Sequence, residues 1–410
     1  MDRELTLKEV IEKHQDVSPF IIIKIDVQRR TVVYTEKALN AADKDLHLLQ
    51  SRSIFTSIGE KNDPLPVALL LRDGTSILTS PLPNAKNPYI VDEIDGKLYL
   101  TDRGEIIEEA AYSSKPDFHD KLTSSGKPMW QIVLARPQRL DIDPYSYCHF
   151  WDKGDGCRYC NMGANFRKSH KEFHKPARLD AQDVYETVRE ALKQPGRLTL
   201  IKMTAGSLLG GPTVFDDEVD LYIEMLQAVG RNFKTKRFPS QLITSAYDEK
   251  QLARLYENTG VMSYTSDMEV LNEEKFSWIC PGKQKAVGYR EWKRRLIAAV
   301  DIFGKGYVNT GIVGGVELAK PYGFRDEQEG LAVTLAEAED FASQGVSVVC
   351  SVWVPYPGSA FQHQSSPSLD YYVRLAKGLR DIRSRYKLDI HMDDYRRCGN
   401  HPDSDLSRVL

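Results

Sequence analysis

The segment RLDIDPYSYCHFWDKGDGCRYC (residues 139–160) joins a strand-like run to three cysteines that lie within thirteen residues of one another. RLDID is the first of six strand-like runs that alternate with longer helical patterns from about residue 126 onward. The six runs are RLDID, RLTLIKMT, SQLITS, VMSYTSDME, YVNTGIVGG and VSVVCSVWV. This alternation is typical of a parallel sheet with crossover helices. It predicts an α/β fold, an incomplete (β/α)6 TIM-like barrel whose chemistry belongs at the carboxyl ends of the strands.

Three regions are predicted along the chain. Residues 1–125 contain short β-type runs between Asn, Asp, Gly and Pro turns, which predict a small N-terminal β-rich (α+β) accessory domain. These runs are FIIIKIDV, RTVVYTE, VALLLRDGTSILTS and GKLYLTDRGEIIEEA. Residues 126–390 form the predicted barrel, in which LDAQDVYETVREALKQ is an amphipathic helix with Asp180 as its N-cap. Residues 391–410 are expected to be an irregular C-terminal tail near the barrel mouth.

The composition is that of a globular protein. Hydrophobic residues make up 41% of the 410 residues, and acidic and basic residues are interleaved to give a formal net charge of −3. This charge pattern argues against nucleic acid as a partner. The N-terminus is too polar for a secretory signal and PFIIIKI is too short to span a membrane, so we expect a cytoplasmic protein without a membrane partner. The scattered cysteines favour reduced thiols with a metal or catalytic role.

Cys148, Cys157 and Cys160 form a C-x8-C-x2-C arrangement directly after the first predicted strand. Three thiolates on one loop can bind three irons of a [4Fe–4S] cluster and leave the fourth iron open to another ligand. Tyr159 would then lie beside the cluster and offer a face on which adenine could stack.

Zinc is the alternative to the cluster. CRYC (residues 157–160) is half of an ordinary zinc knuckle, and His149, His170 or His174 could supply a missing ligand. A structural zinc site more often joins two CxxC-like pairs, and the sequence contains no second pair. This alternative predicts a zinc-stabilised barrel that binds a metabolite without redox chemistry.

The cysteine loop and the segments after it resemble the radical S-adenosylmethionine (radical SAM) superfamily, especially its biotin-synthase-like branch. The usual loop of that superfamily is C-x3-C-x2-C with an aromatic residue before the last cysteine. This sequence keeps the C-x-aromatic-C end at residues 157–160 and lengthens the first gap. The resemblance covers roughly residues 130–365. It implies two cofactors, a [4Fe–4S] cluster held by the three cysteines and S-adenosylmethionine (SAM) on its open iron.

The resemblance also implies SAM-binding residues on successive strands. In MTAGSLLGG, residues 204–207 occupy the place where the family binds the methionyl amino group through backbone carbonyls. An acid at the end of strand four would lie near the ribose or amino group, arginines of REWKRR would pair with the ligand carboxylate, and strand six would contact adenine. The residues so implied are Tyr159, Thr204, Ala205, Gly206, Ser207, Glu269, Arg290, Arg294 or Arg295, Ile312, Gly314, Val352 and Trp353.

Each of these segments also has a purely structural interpretation. MTAGSLLGG is consistent with a tight βα turn, REWKRR with a solvated helix face, and CSVWVPYPGSAF with a buried strand before a turn. In strand five, Ile312, Gly314 and Glu317 match the family's G-x-I-x-G-x-x-E segment, with Thr310 in place of the first glycine. The occurrence of all these segments in order on one predicted barrel supports the resemblance.

The implied activity is reductive cleavage of SAM to methionine and a 5′-deoxyadenosyl radical, which abstracts hydrogen from a small-molecule substrate in cofactor or natural-product biosynthesis. A flavodoxin- or ferredoxin-type donor would supply the electron. Rearrangement, carbon–carbon bond formation, methylation and sulfur insertion all stay open, and the sequence indicates neither a catalytic residue nor an oligomeric state. Cys280 and Cys350 are expected to be buried small apolar residues, and Cys398 with His401 could bind another metal or touch substrate.

Overall fold

The computed structural model describes residues 3–50, 64–80, 82, 85–137, 139–164, 178–194, 198, 200–388 and 399–406. The strands are β1 (Val32–Tyr34), β2 (Leu49–Gln50), β3 (Leu65–Pro66), β4 (Ala68–Leu71), β5 (Ser76–Leu78), β6 (Tyr89–Ile94), β7 (Lys97–Asp102), β8 (Glu105–Tyr112), β9 (Leu134–Ala135), β10 (Arg139–Ile142), β11 (Leu200–Thr204), β12 (Ser240–Thr244), β13 (Ser263–Ser266), β14 (Val308–Gly314) and β15 (Val346–Val352). The α-helices are α1 (Leu7–Lys13), α2 (Pro19–Arg30), α3 (Glu36–Asn40), α4 (Met129–Ile132), α5 (Ala181–Ala191), α6 (Asp216–Gly230), α7 (Glu249–Asn258), α8 (Glu273–Ile279), α9 (Pro281–Ala286), α10 (Tyr289–Phe303), α11 (Glu327–Ser343), α12 (Leu369–Tyr386) and α13 (Pro402–Asp405). Single 3-10 turns lie at Asp117–Asp120, His149–Trp151 and Val316–Leu318.

A seven-stranded sheet, in the order β15-β14-β13-β12-β11-β10-β9, forms the larger part of the molecule. Strands β10 to β15 run parallel to their neighbours, whereas β9 pairs antiparallel with β10 at the edge. The sheet curls into a half barrel, and helices α5 to α12 alternate with its parallel strands along the chain. The predicted α/β partial barrel is therefore confirmed, and each of the six predicted runs contains one of its strands. The edge strand β9 was not predicted.

Local signals place the helices that cover this sheet. The side chain of Asp180 accepts hydrogen bonds from the backbone N–H groups of Gln182 and Asp183, so the predicted N-cap of α5 is confirmed. Helix α5 then buries Val184 and Val188 in the barrel core. Within the described part of the chain, no helix combines the length and the apolar character that crossing a membrane requires.

A second sheet of six strands, in the order β1-β6-β7-β8-β4-β5, precedes the barrel. The predicted runs VALLLRDGTSILTS and GKLYLTDRGEIIEEA form the antiparallel pairs β4–β5 and β7–β8, and RTVVYTE contains β1. Leu69, Ile77, Tyr89, Val91 and Leu100 are buried together in the core of this sheet.

The prediction of a strand at FIIIKIDV is wrong, because this run lies in helix α2. Ile21, Ile22 and Ile25 pack into the barrel core, whereas Ile23 and Val27 pack into the core of the N-terminal sheet. A helix buried on two sides is apolar around most of its circumference, so it loses the 3.6-residue pattern that distinguishes it from a buried strand. Helix α2 therefore connects the two cores.

Helix α13 packs against the barrel and against α2, so the prediction of an irregular tail is wrong for this part of the chain. The carboxylate of Asp403 accepts hydrogen bonds from the Cys350 N–H at 3.1 Å and from Arg383 Nη1 at 2.6 Å. Asp405 forms a buried ion pair with Lys24 of α2. These contacts hold the segment that starts at residue 399 at the barrel wall.

Candidate active site

A cavity of about 380 Å³ lies inside the half barrel. Its lining includes residues of all six parallel strands, the cysteine loop (residues 148–160), and residues of the N-terminal region near Val67 and Leu78. Cys148, Cys157 and Cys160 all contribute to this lining. The structure thus brings the three predicted metal ligands to one space, at the carboxyl end of β10 as expected.

Backbone contacts with the α8–α9 junction hold the cysteine loop in place. The Arg158 N–H donates to the Ile279 carbonyl at 2.8 Å, and the Gly282 N–H donates to the Asp155 carbonyl at 3.0 Å. A Cβ atom at position 282 would lie 2.6 Å from the ring of Phe150 and 2.7 Å from the Asp155 oxygen. Only glycine allows the junction to approach the loop this closely.

The three thiols differ in electrostatic environment. Burial raises the pKa of Cys148 to about 11 and raises that of Cys160 further. A hydrogen bond with Cys280 lowers the pKa of the Cys157 thiol. Cys280 is buried, as predicted, but its contact with Cys157 was not foreseen because the two residues are far apart in sequence. Tyr159 is half-buried at the cavity wall, and desolvation of its hydroxyl raises its pKa well above the ordinary value.

The Gly-rich segment after β11 lies directly against the cysteine loop. A Cβ atom on Gly206 would lie 2.3 Å from the Tyr147 carbonyl oxygen and 2.5 Å from Cys148 Cβ. The His149 N–H donates to the Ser207 carbonyl at 2.9 Å. The predicted residues Thr204, Ala205, Gly206 and Ser207 all line the cavity. The glycine is therefore required by the approach of the loop, in addition to any role in binding a ligand.

Glu218 supports this segment from behind and was missed by the sequence analysis. Its buried carboxylate accepts hydrogen bonds from the Leu208 N–H at 2.8 Å, the Ser245 N–H at 3.0 Å and the Tyr247 hydroxyl at 2.9 Å. Burial raises the pKa of Glu218. Ser245 in turn donates to the Ser207 hydroxyl at 2.9 Å, so Glu218 helps to position one wall of the cavity.

Glu269 lines the cavity with its backbone in the left-handed region, at a φ of 68°. Lys283 Nζ of helix α9 lies 2.7 Å from Glu269 Oε1 and donates to the Asp267 carbonyl at 2.6 Å. Burial opposes the charge on Lys283, but the carboxylate of Glu269 outweighs it and raises the pKa of the ammonium. Burial and the neighbouring Glu269 charge raise the pKa of Asp267 to about 6. The structure thus gives Glu269 a lysine as its charged partner.

The resemblance also implies SAM-binding residues on or next to β14 and β15. Some of them line the cavity and others lie behind it. Ile312, Val352 and Trp353 line the cavity, and Trp353 is buried. Gly314 is outside the lining, where a Cβ atom would lie 2.4 Å from Cys350 Sγ. Glu317 is buried behind the cavity and accepts a hydrogen bond from the Gly315 N–H at 2.9 Å.

The chain is similar to several known proteins. No family model matches the chain. The chain is 26% identical, over 280 residues, to the bacteriochlorophyllide c C-7(1)-hydroxylase of Chlorobaculum limnaeum, and the match covers 64% of each protein. The chain thus matches somewhat less than two thirds of the length of that curated relative. The chain resembles the radical SAM enzymes, as its cysteine loop led us to expect.

Solved structures of radical SAM proteins also resemble the chain. Methylornithine synthase matches at a TM-score of 0.37 and 17% identity, covering 60% of this chain and 68% of that one. A radical SAM methyltransferase from Sphaerobacter thermophilus matches at a TM-score of 0.41 and 15% identity, covering 98% of each chain. Radical SAM enzymes use a [4Fe–4S] cluster and SAM.

Two arginines implied by the radical SAM resemblance lie away from the cavity. Arg290 Nε pairs with Glu273 at 2.9 Å and its side chain is 85% exposed. Arg294 pairs with Glu249 of α7 and Glu291 of α10. Trp292, between them on the same helix, is buried and lines the cavity. Residues two positions from Trp292 on a helix point to nearly the opposite side, which explains the outward direction of both arginines. Arg295 is also outside the cavity lining.

A polar group toward the amino ends of the half-barrel strands was also missed. Arg136, Arg139, Asp141, Lys202 and Gln241 all line the cavity, and we call this group the cavity floor. The charges on RLDID and LIKMT alternate with apolar residues, which is the signal that could have placed them inside the barrel. Burial opposes the negative charge of Asp141, but Arg139 and Lys202 outweigh it and hold its pKa well below the ordinary value.

His401 reaches the same cavity from the segment before α13, and burial lowers its pKa to about 4. Its predicted companion Cys398 lies outside the described residues, as do His170 and His174 of the zinc alternative. In the described ranges, no three or more His, Cys, Asp or Glu side chains are grouped so that they could hold a single metal ion, whereas in a [4Fe–4S] cluster each thiolate binds a different iron. The zinc alternative is not tested by these observations.

Proposed function

We propose that this protein is a radical SAM enzyme that holds a [4Fe–4S] cluster through Cys148, Cys157 and Cys160, cleaves SAM reductively, and abstracts hydrogen from a small-molecule substrate. One observation carries the proposal. The three thiols line the same cavity as the Gly-rich segment 204–207 and Glu269. The donor set suits the cluster, because thiolates are the ligands that iron–sulfur clusters use, and three of them leave one iron free.

The chain's own residues would prepare this site in three ways. Burial keeps Cys148 and Cys160 protonated in the metal-free protein, so ligation must displace their protons. The contacts of Gly206 and Gly282 hold the loop at a fixed place on the barrel. When bound, the reduced cluster supplies the electron that splits SAM into methionine and a 5′-deoxyadenosyl radical.

SAM would lie between the cysteine loop and the ends of the strands. The backbone at Thr204, Ala205 and Gly206 is proposed to bind the methionyl amino group, with Ser207 beside it. Glu269, held by Lys283, is proposed to contact the ribose or amino group. The adenine is proposed to lie among Tyr159, Ile312, Val352 and Trp353. Arg290 and Arg294 are left out of the proposed site because they point away from the cavity.

The cavity inside the half barrel favours radical chemistry on a small molecule. Residues of the N-terminal region near Val67 and Leu78 form part of its lining and would help to exclude water and other quenchers from a reactive radical. A flavodoxin- or ferredoxin-type protein in the cytoplasm is the proposed electron donor. Rearrangement, carbon–carbon bond formation, methylation and sulfur insertion stay as proposed outcomes, and the name of the curated relative adds hydroxylation.

Anaerobic purification followed by iron, sulfide and zinc analysis tests the proposal. We expect about four irons per chain, and release of 5′-deoxyadenosine on addition of dithionite and SAM. Cys157→Ala should abolish both. Cys350→Ala is the control, because Cys350 is a buried cysteine that lies outside the cavity lining. Stoichiometric zinc without iron, or retained SAM cleavage in Cys157→Ala, would contradict the cluster assignment.

A further inference from the structure

Asp267 lines the cavity and has no role in the proposed binding of the cluster or SAM. It follows β13 directly, and Thr265, Asp267 and Glu269 all line the cavity whereas the residues between them do not. This alternation is that of an extended chain with every second side chain on the same side. Asp267 therefore lies between Glu269, the proposed SAM contact, and Thr265, which accepts a hydrogen bond from Gln241 of the cavity floor.

The backbone of β14 holds one oxygen of the Asp267 carboxylate. The Gly311 N–H donates to Asp267 Oδ1 at 2.8 Å, and a Cβ atom on Gly311 would lie 2.6 Å from the same oxygen. Any larger residue at position 311 would therefore displace the carboxylate. Lys283 Nζ donates to the Asp267 carbonyl at 2.6 Å, which fixes the backbone as well. The Asp267 side chain is thus positioned without a ligand.

The second oxygen, Oδ2, is left open to the cavity. Asp267 is half-buried, and among the described residues its carboxylate forms no ion pair and accepts a hydrogen bond only from Gly311. Burial and the charge of Glu269 raise its pKa to about 6, against the opposing charges of Lys283 and His401. The group is therefore mostly ionised at neutral pH, and an ionised carboxylate accepts hydrogen bonds on both oxygens.

We propose that Asp267 is a specificity-determining residue, which selects a substrate with an O–H or N–H group by accepting a hydrogen bond from that group at Oδ2. A ligand that covers this oxygen without supplying a donor would leave it buried and unpaired, at a cost in binding free energy. Sites built to bind a hydroxyl or N–H group reject analogues that lack it for this reason. The inference rests on the proposed function, because it assigns Glu269 to SAM and Asp267 to the substrate.

Indole and benzofuran are suitable probes, because these neutral ring systems have nearly the same shape and only indole has an N–H donor. We expect cluster-loaded protein with saturating SAM to bind indole at least about tenfold more tightly than benzofuran in anaerobic titration calorimetry, since a hydrogen bond to a carboxylate is charge-assisted.

Asp267→Asn should abolish or reverse this preference. Its amide oxygen can accept the Gly311 N–H, which places the amide N–H₂ group, a donor, where Oδ2 faces the cavity. Asp120→Asn, the same change on an exposed side chain, is the control and should keep the preference for indole.

Equal binding of indole and benzofuran to the wild-type protein, no binding of indole, or an undiminished preference in folded Asp267→Asn would overturn the inference. If that variant does not fold, Gly311→Ala, which displaces the carboxylate, is tested in the same way. Competition between indole and SAM, or weaker SAM binding in Asp267→Asn, would also overturn it, since Asp267 would then belong to the SAM site. Release of 5′-deoxyadenosine is followed in the same samples: its absence contradicts the proposed function, whereas normal release without a preference for indole contradicts the Asp267 assignment alone.

Discussion

The ammonium of Lys283 lies 2.7 Å from the carboxylate of Glu269 at the cavity wall. The side chains are 10% and 13% exposed, and Lys283 Nζ is also 4.8 Å from the ring centre of Trp292. The lysine comes from α9, whereas Glu269 follows β13 in a left-handed conformation. The pairing of Lys283 with Glu269 therefore determines where the Glu269 carboxylate lies at the cavity wall.

Replacing Lys283 with methionine should leave Glu269 buried without a partner. We expect a loss of about 3 kcal/mol in the free energy of unfolding and about tenfold weaker SAM binding. The double variant Lys283→Met/Glu269→Gln should recover most of the stability but not the affinity. Denaturant unfolding and calorimetric titration with SAM measure the two effects. SAM affinity at the wild-type level in both variants would remove the pair from the proposed site.

Gly206→Ala should disrupt the cysteine loop, because its new methyl group would meet the Tyr147 carbonyl and Cys148. We expect the variant to lose most of its iron after reconstitution, since backbone atoms cannot move away as a flexible side chain can. Gly230→Ala is the control, because a Cβ atom there would lie 3.4 Å from Phe238, an ordinary contact. Iron content is measured in both, and equal iron in the two variants contradicts the proposed contact.

His401 should make the protein less stable in acid. Its pKa is lowered to about 4 by burial, whereas a histidine in an unfolded chain titrates near 6.5, so the unfolded state binds more protons between these values. Stability from this residue is therefore complete above about pH 6.5 and declines as the pH falls toward 4. The loss at pH 5 should be about 2 kcal/mol.

Denaturant unfolding of cluster-free protein at pH 7 and pH 5 measures this effect. His401→Gln should reduce the difference between the two pH values, because glutamine does not titrate. His363→Gln, on a histidine outside the cavity lining, is the control. An unchanged pH dependence in His401→Gln would show that the residue is accessible to protons in the folded state.

The buried ion pair between Lys24 and Asp405 should be important for stability. Removing one partner, in Lys24→Met, leaves a charge in the core and should cost about 3–5 kcal/mol. Replacing both residues with apolar ones should recover most of this loss. The exposed pair Lys97–Glu109 is a matched control, where Lys97→Met should cost less than about 1 kcal/mol. Equal losses in the free energy of unfolding for Lys24→Met and Lys97→Met, measured in urea, would contradict a special importance of the buried pair.

The barrel strands could be predicted because each parallel strand is a short apolar run between helical patterns, and the cysteine loop because its spacing is local in sequence. Helix α2 could not be predicted, since burial on two sides removes the 3.6-residue alternation of apolar and polar residues. Lys283 and Cys280 could not be linked to Glu269 and Cys157, because those contacts depend on how α8 and α9 fold back onto the loop.

The arginines of α10 show a second limit of prediction from sequence, which is the direction of a side chain on a helix. The motif REWKRR places positive charge near the site along the chain, but the direction of each side chain depends on the helix face that packs against the barrel. Trp292 occupies the inward face, so Arg290 and Arg294 point outward. Periodicity measured from Trp292 would have excluded both residues.

The pairing of Lys24 with Asp405 has a consequence for synthesis on the ribosome. In the order of synthesis, Asp405 follows Lys24 by 381 positions. His401, which lines the cavity, arrives with the segment that contains Asp405. Helix α2 must therefore wait for Asp405 before the charge of Lys24 is paired, and the cavity gains His401 only when that same segment has been made.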